Sequence, residues 1–327
     1  MLKWFHYYND IPTILIPPIF SMISLNMPWL WIVICSQFAN AGAQLLDKFL
    51  LTKKFPRPAV LTFWTAVANL LGVVFVFWDF VLFPGWPLLL LSLGSGIAFT
   101  IALQFLYVGL KTGEASHIAP LVGGVVAIAS FVISYFWLGE RLTFYQQIAV
   151  LLLVIGSLLI SFEKSKKHNG WHIGMLWAIF SGVFFALSYV MSRAVFLETT
   201  FSTGFVWARI GSFAAALPLL LSAPVRKSLF AKSEKQKEKS RSGMVILAIN
   251  KVLAALYFIG MNYAISLASA TIVNALAGLQ YAILLTLIFI CTKKLPQFFR
   301  EQFTAREFVQ EGIAIVVIMA GLAFLVF

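Results

Sequence analysis

Ten apolar runs follow one another along the chain, at about 29–50, 58–83, 86–110, 115–138, 144–162, 173–196, 202–223, 243–266, 270–292 and 308–327. Each is close to the roughly 20 residues that a helix needs to cross a bilayer. Once committed to hydrocarbon, a helix satisfies its backbone polar groups within its own segment. An all-α polytopic membrane protein with ten transmembrane helices is therefore predicted. Composition agrees: 61% of the residues are hydrophobic and 11% charged, against roughly 45–50% apolar in soluble domains. Such a balance excludes a soluble enzyme, a disordered chain and a nucleic-acid module.

Residues 1–28 carry the stretch Ile11-Pro-Thr-Ile-Leu-Ile-Pro-Pro-Ile-Phe, whose three prolines break it as a helix. It reads as an interfacial lead-in, with an extra span over residues 8–26 as the alternative. It has neither the basic start nor the small-residue cleavage site of a secretory signal.

Basic residues orient such a chain. Nineteen of the 24 fall in the odd connections, between runs 1–2, 3–4, 5–6, 7–8 and 9–10, whereas Lys3, Arg141 and Arg193 fall on the other side. The positive-inside bias places the odd connections in the cytoplasm and both termini outside. The net charge of +12 is explained by this use and is no evidence for a nucleic-acid partner. Cys35 and Cys291 each lie within an apolar run and imply neither a disulfide nor a metal site. The polar stretch within 224–242 reads as a solvated cytoplasmic loop, and 296–307, with Phe298, Phe299 and Phe303 among charges, as a segment lying flat at the interface.

The two halves of the chain repeat one another. Ser36 to Lys48 and Ser181 to Arg193 are each a serine, eleven residues and a base. Leu106 to Ser116 lies over Met261 to Thr271, ending Ala-Ser against Ala-Thr. Gln146-Gln-Ile-Ala-Val, Gly156 and Phe162 match Glu311-Gly-Ile-Ala-Ile, Gly321 and Phe327 at one constant offset. Two units of five spans, 29–164 and 165–327, must enter the membrane in opposite directions, which is the inverted-repeat plan of secondary transporters.

The run Gly113-Glu-Ala-Ser-His-Ile-Ala-Pro120, then Phe136-Trp-Leu-Gly-Glu-Arg-Leu142, then Gln146 to Gly156 resembles the repeat unit of the drug/metabolite transporter superfamily, EamA type. The resemblance extends over nearly the whole chain from about residue 29. The second half departs from it, with Cys291-Thr-Lys-Lys294 where Leu-Gly-Glu should recur. The resemblance implies ten helices, the first four of each half around a central cavity and the fifth and tenth peripheral. It also implies both termini in the cytoplasm; the charge count opposes this, and we keep the charge count.

Polar side chains at mid-span should face the protein interior. In the first span Gln37, Asn40, Gln44 and Asp47 fall at i, i+3, i+7 and i+10, one continuous stripe. In the third, Thr100, Gln104, Tyr107 and Lys111 fall at i, i+4, i+7 and i+11. For each of these, a hydrogen bond between helices explains the residue as well as a cavity does. Arg209 and Lys251 each lie about eight residues into a span, roughly 12 Å deep at 1.5 Å per residue, where a charge costs about 3 kcal/mol. Arg209 matches the family's arginine in the second helix of a repeat, a place filled by Ala66 in the first. Its alternative is a bond to backbone carbonyls, and Lys251 can snorkel.

Asp47, Glu114, Glu140 and Glu311 sit near helix ends, Asp47 next to Lys48, so no acid is expected at mid-depth to pair with either base. The cavity is then expected to be positive and to favour an anionic or zwitterionic solute over a lipophilic cation. His117, Asn262, Asn274, Tyr281 and Trp207 are further candidates to line it, with Gln280 beside Tyr281, Tyr263 beside Asn262 and Trp64 matching Trp207. The substrate set is thus Arg209, Lys251, Gln37, Asn40, Gln44, Gln104, Tyr107, His117, Asn262, Asn274, Tyr281 and Trp207.

The sequence has no His-Glu-x-x-His, Gly-x-Ser-x-Gly, phosphate-binding glycine loop or channel filter. The expected function is a secondary transporter of a small metabolite in a cell membrane, with no cofactor, acting as a monomer or a homodimer. A multidrug exporter, or a flippase for lipids or lipid-linked sugars, is the alternative on the same fold.

Overall fold

The computed structural model describes residues 28–54, 57–77, 81–113, 115–161, 172–230, 237–294 and 305–326. The expected lead-in, apart from Pro28, and most of the interfacial segment 296–307 lie outside these. Every regular element among the described residues is helical. They are α1 Pro28–Phe49, α2 Pro58–Asn69, α3 Trp86–Thr112, α4 Ala115–Ile133, α5 Phe144–Ser161 and α6 Ile173–Glu198, then α7 Phe201–Ala216, α8 Ala223–Phe230, α9 Lys237–Leu267, α10 Ala270–Ala275, α11 Ala277–Lys294 and α12 Ala305–Val326.

Local chemistry sets several boundaries. Pro58 and Pro87 occupy the first turns of α2 and α3, where a missing N–H costs nothing. The Gly85 that precedes α3 has φ 87°, a conformation that suits glycine. Thr200 caps α7 by accepting from the Thr203 N–H. α2 tightens into a 3-10 segment at Leu70–Phe77, α4 ends in a π-turn at Ser134–Leu138, and the ninth apolar run is interrupted at Leu276 between α10 and α11.

Six helices are long and apolar enough to cross a membrane: Pro28–Thr52, Trp86–Thr112, His117–Leu138, Ile173–Glu198, Phe201–Leu221 and Gly243–Leu267. The remaining four runs form shorter apolar helices, Pro58–Val74, Phe144–Leu159, Ala270–Leu284 and Gly312–Gly321. Helical pieces border the connection expected over 224–242. α8 begins it, held to the start of α2 because Arg57 donates to the Pro224 carbonyl at 3.0 Å and to the Ser228 hydroxyl, and α9 already begins at Lys237.

Leu90, Ile97, Leu151, Leu256 and Val316 stand exposed around the outside, while Arg209, Gln37, Asn250 and Asn274 are buried. That inside-out distribution suits hydrocarbon as the solvent. Because lipid removes the hydrophobic drive between helices, small residues carry the close contacts. A Cβ on Gly96 of α3 would lie 1.9 Å from the Ala208 carbonyl of α7, and one on Gly211 of α7 would lie 2.3 Å from the Leu93 carbonyl. Ser95 of α3 bonds Ser192 of α6 at 2.7 Å and the Ser188 carbonyl at 3.0 Å. α3 also packs along α6, α9 along α1, α4 against α6, α11 against α1, and α5 against α12.

Candidate functional site

Between α1, α2, α3, α4, α6, α9, α10 and α11 lies a cavity of about 90 Å³. It is well below the roughly 300–1,000 Å³ of sites for drug-sized ligands, so in this state it fits a small solute. Asn40, Gln44 and Asp47 present one face of α1 to it, and Asn274 and Gln280 flank the interruption between α10 and α11. Three tyrosines, Tyr107, Tyr189 and Tyr257, and three phenylalanines, Phe99, Phe185 and Phe258, supply much of the remaining wall. Asn40 donates to Gln280 Oε1 at 2.6 Å, Asn274 donates to the Ser130 hydroxyl at 2.9 Å, and the Tyr189 and Tyr257 hydroxyls are 3.3 Å apart.

The largest departure from the sequence reading is electrostatic. Lys251 Nζ lies 3.7 Å from Asp47 Oδ1, with both side chains about nine-tenths buried. Lys251 also donates to Thr65 Oγ1 at 2.6 Å, and Thr65 Oγ1 lies 3.1 Å from the Tyr107 hydroxyl. The expectation of two unpaired bases and no embedded acid is thereby corrected. Asp47 is two residues from the end of α1 in sequence, but the chain continues helically through Lys54, so the carboxylate is enclosed by α9. Its signal was the fourth place in the Gln37, Asn40, Gln44 stripe; setting it aside as a residue near a helix end, next to Lys48, missed this. Lys48 Nζ instead donates to the Leu110 carbonyl at 2.7 Å and to the Gly113 carbonyl.

Arg209 is 2% exposed, and its guanidinium carbon stands 3.8 Å from the ring centre of Phe258, 5.0 Å from Phe205 and 5.3 Å from Phe99. Gly72 makes room for its stem, since a Cβ there would lie 3.0 Å from Arg209 Cγ. Nε and Nη1 find no hydrogen-bond partner among the described residues, so the alternative of a bond from these two atoms to backbone carbonyls is not realised. Each desolvated ring face contributes up to about 2 kcal/mol, against an effective cost of several kcal/mol for a buried ion. The rings offset part of that cost and leave two strong donors uncommitted. Phe99 and Phe258 belong both to this cage and to the cavity wall.

Other expected residues go elsewhere. Gln37 is buried and donates to Met261 Sδ at 3.6 Å, beside the cavity. The α3 stripe divides: Tyr107 lines the cavity, but Gln104 accepts from Thr62 at 2.7 Å, Thr100 donates to the Ser212 carbonyl at 2.9 Å, and Lys111 is exposed. Asn262 donates to Phe258 O within its own helix. Trp207, half-buried, donates to the Leu82 carbonyl, and His117 is buried in α4 away from the lining. The Tyr281 side chain lies outside what is described. Thr65, Asn69, Tyr189 and Tyr257 complete the polar lining and were not anticipated, although Thr62, Thr65 and Asn69 fall at i, i+3 and i+7, a stripe on α2 that could have marked the first two. Among the described residues no group of three or more His, Cys, Asp or Glu could hold a metal ion.

No family model matches the chain, and no curated protein matches it. Among solved structures that do, one crystal structure, described simply as that of a protein, has 18% identity and a TM-score of 0.58 over 89% of this chain and 95% of that one. At that identity the likeness is one of fold alone, and it extends over nearly the full length of both chains.

Proposed function

We propose that the chain is a secondary transporter of the drug/metabolite type, with ten transmembrane helices arranged as two inverted five-helix repeats. It moves a small zwitterionic or anionic metabolite, an amino acid being the favoured example, across a cell membrane by alternating access. The observation that carries this reading is a set of reciprocal contacts between residues that the sequence repeat pairs. Within the first half Lys48 donates to the Leu110 carbonyl, and within the second its repeat partner Arg193 donates to the carbonyl of Ile265, the repeat partner of Leu110, so one contact recurs in each half; the contacts that follow are exchanged between the halves. A Cβ on Gly156 would lie 3.1 Å from the Ala314 carbonyl, and one on Gly321 would lie 3.1 Å from the Ala149 carbonyl. Packing follows the same rule, α3 on α6 and α9 on α1, α4 on α6 and α11 on α1, with α5 against α12. Contacts exchanged in this way are what a two-fold axis in the membrane plane produces.

The short helices support ten spans once their continuations are counted. α2 with its 3-10 extension covers Pro58–Phe77, about 34 Å at 1.5 and 2.0 Å per residue. α10 and α11 together cover Ala270–Lys294, about 37 Å, against a hydrocarbon thickness of roughly 30 Å. The interruption of the ninth run beside Asn274 and Gln280 is the arrangement that transporters use at solute sites.

The charges select the solute. Asp47, in the lining, offers a carboxylate to an ammonium group, while Lys251 and Arg209 stand outside the lining against residues that form it, Lys251 beside Asp47 and Arg209 over Phe99 and Phe258, as cations for a carboxylate. Opposite charges at both ends of a small molecule satisfy both. The buried Asp47 also favours a second reading, export of a lipophilic cation, which the sequence argument set aside for want of such an acid.

Thermal stabilisation of the detergent-purified protein by zwitterionic, anionic and cationic metabolites separates the two. A ligand at 100 times its dissociation constant adds about 2.7 kcal/mol. The expected result is stabilisation by an amino acid or anion that disappears in Arg209→Ala, which still inserts but does not transport. Stabilisation by cations alone, or transport by Arg209→Ala at the wild-type rate, refutes the first reading.

A further inference from the structure

At the end of the bundle opposite the Asp47–Lys251 pair, the Leu138-Gly139-Glu140 sequence makes a second link between the chain halves. Gly139 has φ 67°, and the π-turn before it closes with the Gly139 and Glu140 N–H groups both on the Ser134 carbonyl. This left-handed turn carries Glu140 out of α4 towards the second half. Glu140 Oε2 accepts from the Ser269 hydroxyl at 2.7 Å, and Oε1 faces Arg193 Nε at 3.7 Å. Arg193 in turn donates to the Ile265 and Ser266 carbonyls, each at 2.9 Å, at the end of α9. Ser269 stands before α10 and makes no side-chain cap there, its hydroxyl being turned to Glu140. Four pieces thus meet on one carboxylate: the end of α4, α6, the end of α9 and the start of α10.

The corresponding place at the other end has no such carboxylate, since Lys48 holds only the position of Arg193 and Lys294 stands where Leu-Gly-Glu would recur. The two cross-half links are therefore chemically different: an exposed-edge clasp about one-sixth exposed at one end, and the buried Asp47–Lys251 pair bordering the cavity at the other.

We propose that the Glu140–Arg193–Ser269 cluster is a gate latch, which holds the cavity shut at the end bearing the 139–143 and 268–269 connections and must part for a solute to pass there. Glu140 acts as a positioning residue and does not touch the solute. This rests on the transporter reading above for its purpose, but its test does not need a transported solute. An alternating device cannot keep both ends latched with equal strength, and breaking this latch should shift the resting protein towards opening on this side.

The experiment is the labelling rate of Ala277→Cys, a residue of the cavity lining, by a membrane-impermeant thiol reagent. The background is Cys35→Ser and Cys291→Ser, in vesicles of both orientations. Glu140→Gln and Arg193→Gln are expected to raise the rate about tenfold from the face on which Arg141→Cys is labelled, and to lower it from the other face. Ser269→Ala, which removes only a hydroxyl, should give a smaller rise of the same sign, so the test survives if the charge variants do not fold. Rates unchanged from both faces in every variant that folds, or a rise from the opposite face, overturn the latch. Unchanged labelling with intact transport defeats the latch alone; a shift in labelling in a protein that moves no solute tested defeats the transporter reading and leaves the latch standing.

Discussion

Asp47 and Lys251 are the residues whose pairing most alters the chemistry of the site. At 3.7 Å and about nine-tenths burial, breaking such a pair from one side leaves an uncompensated buried charge, which costs about 3–5 kcal/mol. Asp47→Asn and Lys251→Met are each expected to lower the melting temperature of the purified protein clearly, because each leaves the other group buried without its partner. The double variant should recover most of the loss, since a neutral pair of similar volume is often tolerated. Additive losses in the double variant would show that the two groups do not depend on each other. The stripe of Gln37, Asn40, Gln44 and Asp47 was legible because a helix repeats its face every three to four residues. Its partners were not, because the approach of Lys251, some two hundred residues away, is set by how α9 lies on α1.

At the scale of elements, α3 and α7 cross closely enough that glycines are required on both. A methyl group at Gly96 would meet the Ala208 carbonyl and the Ser212 N–H, both backbone, at 1.9 and 2.5 Å, so the helices must separate to accept it. Gly96→Ala is expected to destabilise by about 1–3 kcal/mol, read as loss of monodisperse protein or a lower melting temperature. Gly312→Ala, with nothing within 4 Å of the added atom, should be neutral or slightly stabilising through helix propensity. Equal behaviour of the two would mean that the α3–α7 crossing is looser than described. The α3 residues Thr100 and Gln104 illustrate the limit of periodicity. Both lie on the same stripe as Tyr107, yet they serve contacts to α7 and α2. A helix surrounded by several others has more than one interior face, and a stripe does not say which neighbour it meets.

At the scale of the whole molecule the open quantity is orientation in the membrane. Lys111 at the end of α3 and Arg141 after α4 are both exposed, and α4 separates them. Cysteines placed singly at these positions should be labelled from opposite faces of the membrane, with Lys111→Cys reactive from the cytoplasm if the positive-inside distribution governs. Labelling of Lys111→Cys from outside would instead support the orientation that the family resemblance implies.

That the chain is helical and built for hydrocarbon follows from its apolar runs alone, because a bilayer leaves a spanning segment few other ways to satisfy its backbone. The matches on which the proposed repeat rests, such as Gly156 with Gly321 and Lys48 with Arg193, are likewise visible in the linear order. Tertiary structure alone decided where the second run narrows to a 3-10 helix and where the ninth is interrupted. It also decided which polar residues face the cavity, and that an acid lies beside Lys251 while rings enclose Arg209. Those outcomes depend on side chains from distant parts of the chain reaching one place. Charge, unlike hydropathy, acquires its energy from the neighbours it finds there.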